Sequence, residues 1–295
     1  MDWQDRYQPR REPDPVLRLM TPDDVPAAGE ILRSVGWTPD DRRWQRILDW
    51  EPDGCFALDE PGRGVIGTVS TTTYGTALGW IGMMVIAADR QRRGYGRQLM
   101  RAALDYLIAR GTERIMLDAS DKGRPLYESL NFRTLYKFNR WEGRASTYLG
   151  PRARRLEPED VEPVIALDTQ LYGIPRPHIL TRLLDDFPDT AWVDETREGL
   201  QGFLLAREVA GGAYLGPWMA RSAESAERLL RMALEQYQGQ TVSMNVADIN
   251  GRAMQIAERH NLRRETGPIR MIYGDAFPVQ GEPLAELSIT SYATG

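Results

Sequence analysis

The chain of 295 residues is long enough for two ordinary domains or one large one. Its apolar share of 42% and charged share of 27% are typical of globular proteins, and its longest apolar run, residues 80–88, is strand-sized rather than membrane-spanning. A net charge of −5 and the lack of clustered Cys and His argue against nucleic-acid and zinc sites, so we expect no nucleic acid, no membrane and no metal.

The start of the chain and its cysteine content predict a compartment. Residues 1–14 are rich in Arg, Asp, Glu and Pro, which is typical of a mobile arm, and no apolar signal segment follows them. A single cysteine provides no disulfide framework and suits a reducing environment. We therefore expect a cytoplasmic protein.

Short apolar strands alternate with amphipathic helices from Val16 onward. A strand over 16–20 precedes a helix that begins at Pro22 and ends before Gly36, and a second helix covers about 39–49. The elements that follow are strands at 55–58, 65–73 and 78–86, a helix ended by Gly111, a strand at 115–119, a helix at 125–130 and a strand at 132–138. This order predicts an α/β domain with a mixed sheet.

The second half of the chain repeats the first. Residues 18–25 and 154–161 share the pattern Arg-x-x-x-Pro-x-Asp-Val, and residues 128–133 and 258–263 share Glu-x-x-Asn-x-Arg. Collinear matches at both ends of each half indicate a duplicated domain. We predict domains over 15–142 and 152–276, with 277–295 as a tail or a final strand.

The turn between the strand at 78–86 and the next helix is the segment with the most chemistry. It reads Gln91-Arg92-Arg93-Gly94-Tyr95-Gly96 and is followed by Arg97. Amides at a helix start carry partial positive charge, and alternate glycines admit a phosphate close to the backbone. A third glycine and a Gly-Lys-Ser/Thr motif are both missing, so dinucleotide and P-loop sites are disfavoured. A plain connection with solvated arginines is the competing interpretation.

In this context, the turn resembles that of the GCN5-related N-acetyltransferase (GNAT) family. Residues 81–86, the turn itself and residues 124–132 (Arg-Pro-Leu-Tyr-Glu-Ser-Leu-Asn-Phe) match family motifs in order, with Gln91 where the family usually has Arg. The resemblance is strong over 16–140 and weak over 154–273. It implies two tandem GNAT-fold domains, each a mixed, mostly antiparallel sheet flanked by helices, and acetyl-CoA as co-substrate.

The resemblance also implies which residues hold the cofactor. Main-chain groups of Met84 and Ile86 would pair with the pantetheine arm as an added strand does. The candidate pyrophosphate ligands are Gln91, Arg92, Arg93, Gly94, Tyr95, Gly96 and Arg97. Ser120 stands near the position of a pantetheine-binding Asn, and Arg124 in the third motif is a further candidate.

Tyr127 is the candidate catalytic residue, because family members commonly carry a tyrosine there as general acid for the CoA sulfur. A packing aromatic is the alternative interpretation. Asp118 is the nearest candidate base, with a structural role, either capping a helix or pairing an Arg, as the other possibility. Cys55 is interpreted as a buried thiol rather than a nucleophile, and His178 as a solvated side chain or one that faces the inter-domain cleft.

The second half lacks the corresponding chemistry. Residues 224–227 (Glu-Ser-Ala-Glu) align with 94–97, and Ala257 aligns with Tyr127. Carboxylates repel a pyrophosphate, so we predict one cofactor per chain, held by the first domain. Four aromatic residues of the second half either complete an acceptor pocket or pack in the core: Tyr172, Trp192, Tyr214 and Trp218.

The predicted function is transfer of an acetyl group from acetyl-CoA to the primary amine of a small molecule. Two alternatives stay open, a protein N-acetyltransferase and an acyl-CoA-binding regulatory module without turnover. The sequence determines neither the acceptor nor the oligomeric state.

Overall fold

A computed structural model describes residues 14–279, 281–282 and 284–295. The chain forms two compact units: the first contains the described residues up to Thr71 together with Met83–Tyr106, and the second contains Thr72–Gly82 and Leu107–Gly295. Of the predicted arm, all but Asp14 lies outside the described residues. The predicted domain limits follow the sequence repeat and remain a prediction beside this division.

The first unit contains antiparallel strands and three helices. Its elements in chain order are β1 (Val16–Leu19), α1 (Val25–Ser34), α2 (Asp41–Trp50), β2 (Cys55–Glu60), the start of β3 (Gly64–Tyr74), the end of β4 (Leu78–Ile86) and most of α3 (Tyr95–Ala109). Strand β2 pairs with β1 on one side and β3 on the other, both antiparallel. The Ala87 amide donates to the Ile66 carbonyl at 2.8 Å, which joins β3 to the chain leaving β4.

The second unit contains the remaining strands and helices. They are β5 (Ile115–Ala119), α4 (Arg124–Glu128), β6 (Phe132–Arg144), β7 (Arg154–Arg155), α5 (Val161–Tyr172), α6 (Pro177–Asp186), β8 (Ala191–Thr196), β9 (Gly199–Val209), β10 (Gly212–Ala220), α7 (Ala223–Gln236), β11 (Thr241–Ala247), α8 (Gly251–Arg259), β12 (Arg263–Tyr273) and β13 (Glu286–Ser288). From β5 onward the strand order is β5-β12-β6-β11-β10-β9-β8-β7.

The two halves of the sequence exchange their last long strands within this unit. Strand β12, from the second half, pairs antiparallel with β5 of the first half, and β6 of the first half pairs antiparallel with β11 of the second. Strands β6 and β12 also pair with each other. Strand β6 extends to Arg144, beyond the predicted end at 138, because β12 pairs with residues 132–142 and β11 with residues 138–144, so that its two neighbours together supply partners along its length.

Strand β13 fills a gap between two other strands of the second half. Strands β10 and β11 are parallel over only three residue pairs, Gly212–Tyr214 against Thr241–Ser243. Beyond that point β10 pairs antiparallel with β13, and the Ile289 amide donates to the Asn245 carbonyl on β11 at 3.3 Å. The chain therefore closes this gap with its own backbone.

The secondary structure agrees with the predicted class, a mixed α/β fold whose sheet is mostly antiparallel and flanked by helices. The core of the second half is apolar and contains Trp192, Trp218, Leu229, Leu230 and Ala257, all 0% exposed. Among the residues described, no helix combines the length and the apolar composition that a bilayer crossing requires.

Candidate functional site

The turn before α3 exposes backbone amides in the first unit. Arg92 and Gly94 adopt left-handed conformations with φ of 65° and 88°, and residues 91–94 are exposed. The first helical hydrogen bond runs from the Arg97 amide to the Gly94 carbonyl at 3.0 Å, so the amides of Tyr95 and Gly96 have no acceptor within the helix. No atom lies within 4 Å of the place that a Gly94 Cβ would take. The turn is thus open to an anionic group.

The side chain of Gln91 fixes the turn to the strand before it. Its Nε2 donates to the Ile86 carbonyl at 3.1 Å. Beyond the turn, one face of α3 forms an open groove of about 330 Å³, lined by Leu17, Gly94, Arg97, Gln98, Arg101, Ala102 and Asp105. Two arginines therefore border the space next to the exposed amides.

Strand β4 is irregular just before the predicted pantetheine positions. Met83 has a φ of 47°, an uncommon conformation for a residue with a Cβ, and its carbonyl accepts a hydrogen bond from Thr68 Oγ1 at 3.1 Å. Met84 follows, half-buried, and Ile86 is 7% exposed. A positive φ is usually predicted from a glycine at the position itself, and position 83 is a methionine, so the sequence does not predict this irregularity.

In the second unit, the first residues of β4 pair with β5 over only three positions. The parallel register runs from Gly79 opposite Ile115 to Ile81 opposite Leu117, and no pair follows it. The next residue, Gly82, has no Cβ, and a Cβ there would overlap the Ala293 carbonyl of the C-terminal segment. The segment after β13 therefore packs against the point where β4 stops pairing.

Ser120 and Arg124 form the loop after β5 and the start of α4. The Ser120 hydroxyl accepts from the Gly123 amide at 3.2 Å, and its carbonyl accepts from the Arg124 amide at 2.9 Å. Arg124 is exposed and its guanidinium lies 3.4 Å from Glu128. The Ser120 hydroxyl thus bonds at the helix start, and both side chains are exposed.

Tyr127 lies on α4 with its ring buried and 7% of its surface exposed. The ring packs edge-on against Phe132 at 6.1 Å, and a Cβ on Gly123 would come within 3.0 Å of it. Burial raises the pKa of the Tyr127 hydroxyl to about 12. The hydroxyl is therefore protonated at neutral pH and able to donate.

Asp118 is fully committed to an ion pair. The Arg270 guanidinium donates to both of its carboxylate oxygens at 3.0 and 2.9 Å, and the two side chains are 0% and 2% exposed. Arg270 also lies over the rings of Phe138 and Trp80 at 4.5 and 4.6 Å. Of the two interpretations of Asp118, the structure shows the structural ion pair.

A second buried pair lies in the same unit. Arg176 donates to both oxygens of Asp168 at 2.9 Å and to Thr290 Oγ1 at 3.1 Å, and its guanidinium stacks on Tyr172 at 3.8 Å. Burial raises the pKa of the Glu286 carboxyl, and the charges of both ion pairs also act on that pKa. Glu286 lies in the segment where the sequence pattern loses its period, so no sequence signal identified it.

The remaining candidate residues are buried or packed against other side chains. Cys55 is 0% exposed and burial raises the pKa of its thiol to about 12, which agrees with an inert thiol. His178 is half-buried, with its ring 5.5 Å from that of Tyr74. Trp192 and Trp218 are core residues, whereas Tyr214 donates from its hydroxyl to the Ile289 carbonyl at 2.7 Å. Three or more clustered metal-ligating side chains do not occur in the described part of the chain.

The helix of the second half that corresponds to α3 is capped differently. The Ser222 hydroxyl accepts from the Ser225 amide at 3.1 Å, which satisfies an amide at the start of α7. Glu227 pairs with Arg231 and Arg259 at 2.8 and 2.6 Å. At the start of α7, the Ser222 cap and the two ion pairs of Glu227 thus stand where α3 has amides without an acceptor in the helix.

The structure distributes the candidate residues between its two units. Those of β4 and of the turn that begins α3 lie in the first unit, namely Met84, Ile86, Gln91, Arg92, Arg93, Gly94, Tyr95, Gly96 and Arg97. Ser120, Arg124 and Tyr127 lie together in the second, on one loop and the helix it begins.

Comparisons with known proteins identify the class. Residues 27–132 match the model of the acetyltransferase (GNAT) family, and residues 164–284 match that of an acetyltransferase (GNAT) domain. The holothin acyltransferase of Pseudoalteromonas sp. (strain SANK 73390) is 23% identical over 70% of each chain. The uncharacterized N-acetyltransferase YitH of Bacillus subtilis is 22% identical over 68% of this chain and 71% of its own.

Solved structures agree with the fold. A candidate acetyltransferase from Pyrococcus horikoshii superposes with a TM-score of 0.80 at 22% identity, covering 98% of this chain and 99% of that one. A GCN5-related N-acetyltransferase from Sphaerobacter thermophilus gives 0.67 at 16% identity, covering 93% and 99%. The chain belongs to the GNAT family as a tandem protein with one GNAT domain in each half. It is accordingly an acyltransferase.

Proposed function

We propose that this acyltransferase moves an acetyl group from acetyl-CoA to the primary amine of a small molecule. The observation that carries the proposal is the exposed turn at residues 91–94, with Arg92 and Gly94 left-handed, after which the amides of Tyr95 and Gly96 have no acceptor within the helix. Such amides, at the positive end of a 15-residue helix, suit a pyrophosphate.

The turn provides the cofactor contacts in this proposal. The backbone of residues 92–97 holds the pyrophosphate, and Gln91 keeps the turn in place through its bond to the Ile86 carbonyl. The main chain of Met84 and Ile86 receives the pantetheine arm, with Ser120 and Arg124 as further contacts. Acetyl-CoA supplies the activated acyl carbon, as a thioester.

Tyr127 supplies a proton in the proposed reaction. Attack by a neutral amine forms the amide bond and breaks the bond from the acyl carbon to sulfur, which leaves a thiolate. The Tyr127 hydroxyl is protonated at neutral pH because burial raises its pKa to about 12, so it can donate to that sulfur.

We further propose that the second half binds no cofactor. The Ser222 cap and the carboxylates Glu224 and Glu227 stand where α3 has bare amides and arginines. Strand β13 also occupies the gap between β10 and β11, so an extended ligand would have to displace the chain's own backbone there. The expected stoichiometry is one acetyl-CoA per chain.

A charge at Gly94 tests the placement of the cofactor. Gly94→Glu should lower the affinity for CoA, measured by titration calorimetry, by at least about 100-fold, because a carboxylate would face the pyrophosphate. Gly62→Glu is the matched control, since Gly62 is also left-handed (φ 80°) with no atom within 4 Å of its missing Cβ. Unchanged affinity in Gly94→Glu would refute the site.

Thiol release from acetyl-CoA tests the reaction. The wild-type chain should release free thiol in the presence of at least one member of a panel of small primary amines. CoA binding without release across the panel would favour a regulatory module instead. Release only with peptides bearing a free N-terminus or lysine would favour a protein acceptor.

A further inference from the structure

Glu286 has a fixed backbone and a defined face in the second unit. It stands opposite Met219 in the pairing of β13 with β10, and its carbonyl accepts from Asn250 Nδ2 at 2.7 Å. The next residue, Leu287, is 0% exposed and belongs to the apolar core. Because side chains alternate along a strand, the Glu286 carboxylate lies on the face away from that core.

The charged groups that act on Glu286 are two guanidiniums and two carboxylates. Arg270 and Arg176 lower its pKa and Asp168 and Asp118 raise it, while burial, the largest effect, raises it. Each guanidinium is already held by both oxygens of its own carboxylate. With Glu286 ionised, these five groups carry three negative and two positive charges, and the guanidinium of Arg207 over the Tyr214 ring is a third positive charge nearby.

Each arginine also donates one further hydrogen bond outside its ion pair. Arg176 Nη1 donates to Thr290 Oγ1 at 3.1 Å, and Arg270 Nη1 to the Tyr136 hydroxyl at 3.5 Å. A third guanidinium, that of Arg207, stacks on Tyr214 at 4.7 Å and donates to the Thr290 carbonyl. Arg176 and Arg270 thus donate to groups other than Glu286.

Two buried acceptor atoms of this region have no hydrogen-bond donor among the described residues. They are Glu286 Oε1 and Asn245 Oδ1, and Asn245 is only 4% exposed. The Tyr214 hydroxyl accepts from Asn245 Nδ2 at 3.2 Å and lies 3.4 Å from Ser288 Oγ, two residues after Glu286 on β13, and the Ser288 hydroxyl also accepts from the Asn245 backbone amide at 3.2 Å. Buried acceptors without donors are costly and rare, and a ligand that donates hydrogen bonds would satisfy both.

We propose that this cluster, Glu286 with Asn245 and Tyr214, is the acceptor site, where the Glu286 carboxylate binds the cationic primary amine of the substrate and takes its proton. The proposal rests on the proposed acyl transfer. An ammonium group supplies the donors that Glu286 Oε1 and Asn245 Oδ1 lack, and it places a positive charge beside the carboxylate.

With Glu286 as the base, the reaction begins with a proton transfer from the substrate. One proton moves from the ammonium to Glu286, which frees the nitrogen lone pair. That pair forms the bond to the acyl carbon while the bond from carbon to sulfur breaks, and the sulfur keeps the bonding electrons. The thiolate takes the proton of Tyr127, and the second proton on nitrogen leaves the protonated amide and, through solvent, restores that of Tyr127. Burial favours the uncharged acid of Glu286, which makes its carboxylate a stronger base than an exposed one.

Glu286→Gln tests the assignment, with Glu282→Gln as matched control. Glu282 lies four residues earlier and pairs with Arg221 on the surface, both side chains being more than 30% exposed. With the best primary amine of the panel, kcat/KM of Glu286→Gln should fall at least about 100-fold, the usual contribution of a general base. The wild-type rise of kcat/KM with pH, caused by ionisation of Glu286, should disappear in this variant. Glu282→Gln should retain both rate and pH profile.

Binding measurements separate this proposal from the proposed function. Calorimetric titration of the same amines should show affinity in the wild type and Glu282→Gln, and a loss of at least about tenfold in Glu286→Gln, with CoA affinity unchanged. Turnover and amine binding that both survive in Glu286→Gln would overturn the acceptor site while leaving acyl transfer intact. Amine binding that depends on Glu286 without thiol release would leave the site and overturn acyl transfer. A wild type that neither binds nor acylates any amine would overturn both.

Discussion

Arg270 on β12 and Asp118 on β5 stand opposite each other in the antiparallel register, and their side chains form a bidentate ion pair that is 2% and 0% exposed. One residue comes from each half of the duplicated sequence. The pair therefore links β12, from the second half of the sequence, to β5 of the first half. The Arg270 guanidinium also packs on the rings of Trp80 and Phe138.

Removing one partner of this pair should destabilise the protein strongly. Asp118→Leu leaves the Arg270 guanidinium buried without a counter-charge, which costs about 3–5 kcal/mol. Chemical unfolding followed by circular dichroism measures the loss. Glu128→Gln is the control, because the exposed pair of Glu128 with Arg124 is worth about 0–1 kcal/mol. A double variant, Asp118→Leu with Arg270→Leu, should recover part of the loss, and a double variant no better than the single one would contradict this account.

The local elements could be predicted from the sequence, whereas the contacts between distant elements could not. Strands β4 and β5 were predicted with their observed limits because apolar runs and flanking turns are local signals. The partner of Asp118 lies 152 residues away, and the exchange of β6 and β12 places each last strand beside the other half. No periodicity encodes which half a strand joins. The turn at residues 91–96 was predicted as an exposed helix start because glycines and a strand-to-helix change mark it locally.

Leu287 tests whether β13 is part of the core of the second half. The side chain is 0% exposed among the residues of the apolar cluster, so Leu287→Ala should cost about 2–5 kcal/mol of the free energy of unfolding. Leu149→Ala is the control, since Leu149 is 93% exposed and should change stability by less than about 0.5 kcal/mol. Equal stability of the two variants would mean that β13 contributes no packing.

Cys55 should be unreactive in the folded protein. Burial raises the pKa of its thiol to about 12, so at pH 8 only about one molecule in 10⁴ carries the nucleophilic thiolate. Reaction with a chromogenic disulfide reagent at pH 8 should be slow for the native chain and fast after unfolding in guanidinium chloride. Fast reaction under native conditions would show that the strand β2 opens readily.

Tyr127→Phe should lower the rate of acyl transfer without unfolding the protein. The ring packing on Phe132 is kept and only the proposed proton donor is lost, so kcat should fall by about 100-fold or more, with CoA affinity unchanged. Tyr237→Phe is a matched control, because Tyr237 is 3% exposed and burial likewise raises the pKa of its hydroxyl to about 12. In the wild type, ionisation of Tyr127 should cause no loss of rate below about pH 10, because the raised pKa keeps the hydroxyl protonated there. Thiol release measured between pH 6 and 10 for the wild type and the two variants tests whether Tyr127 is the proton donor. Equal rates for Tyr127→Phe and wild type would show that Tyr127 is only a packing residue of α4.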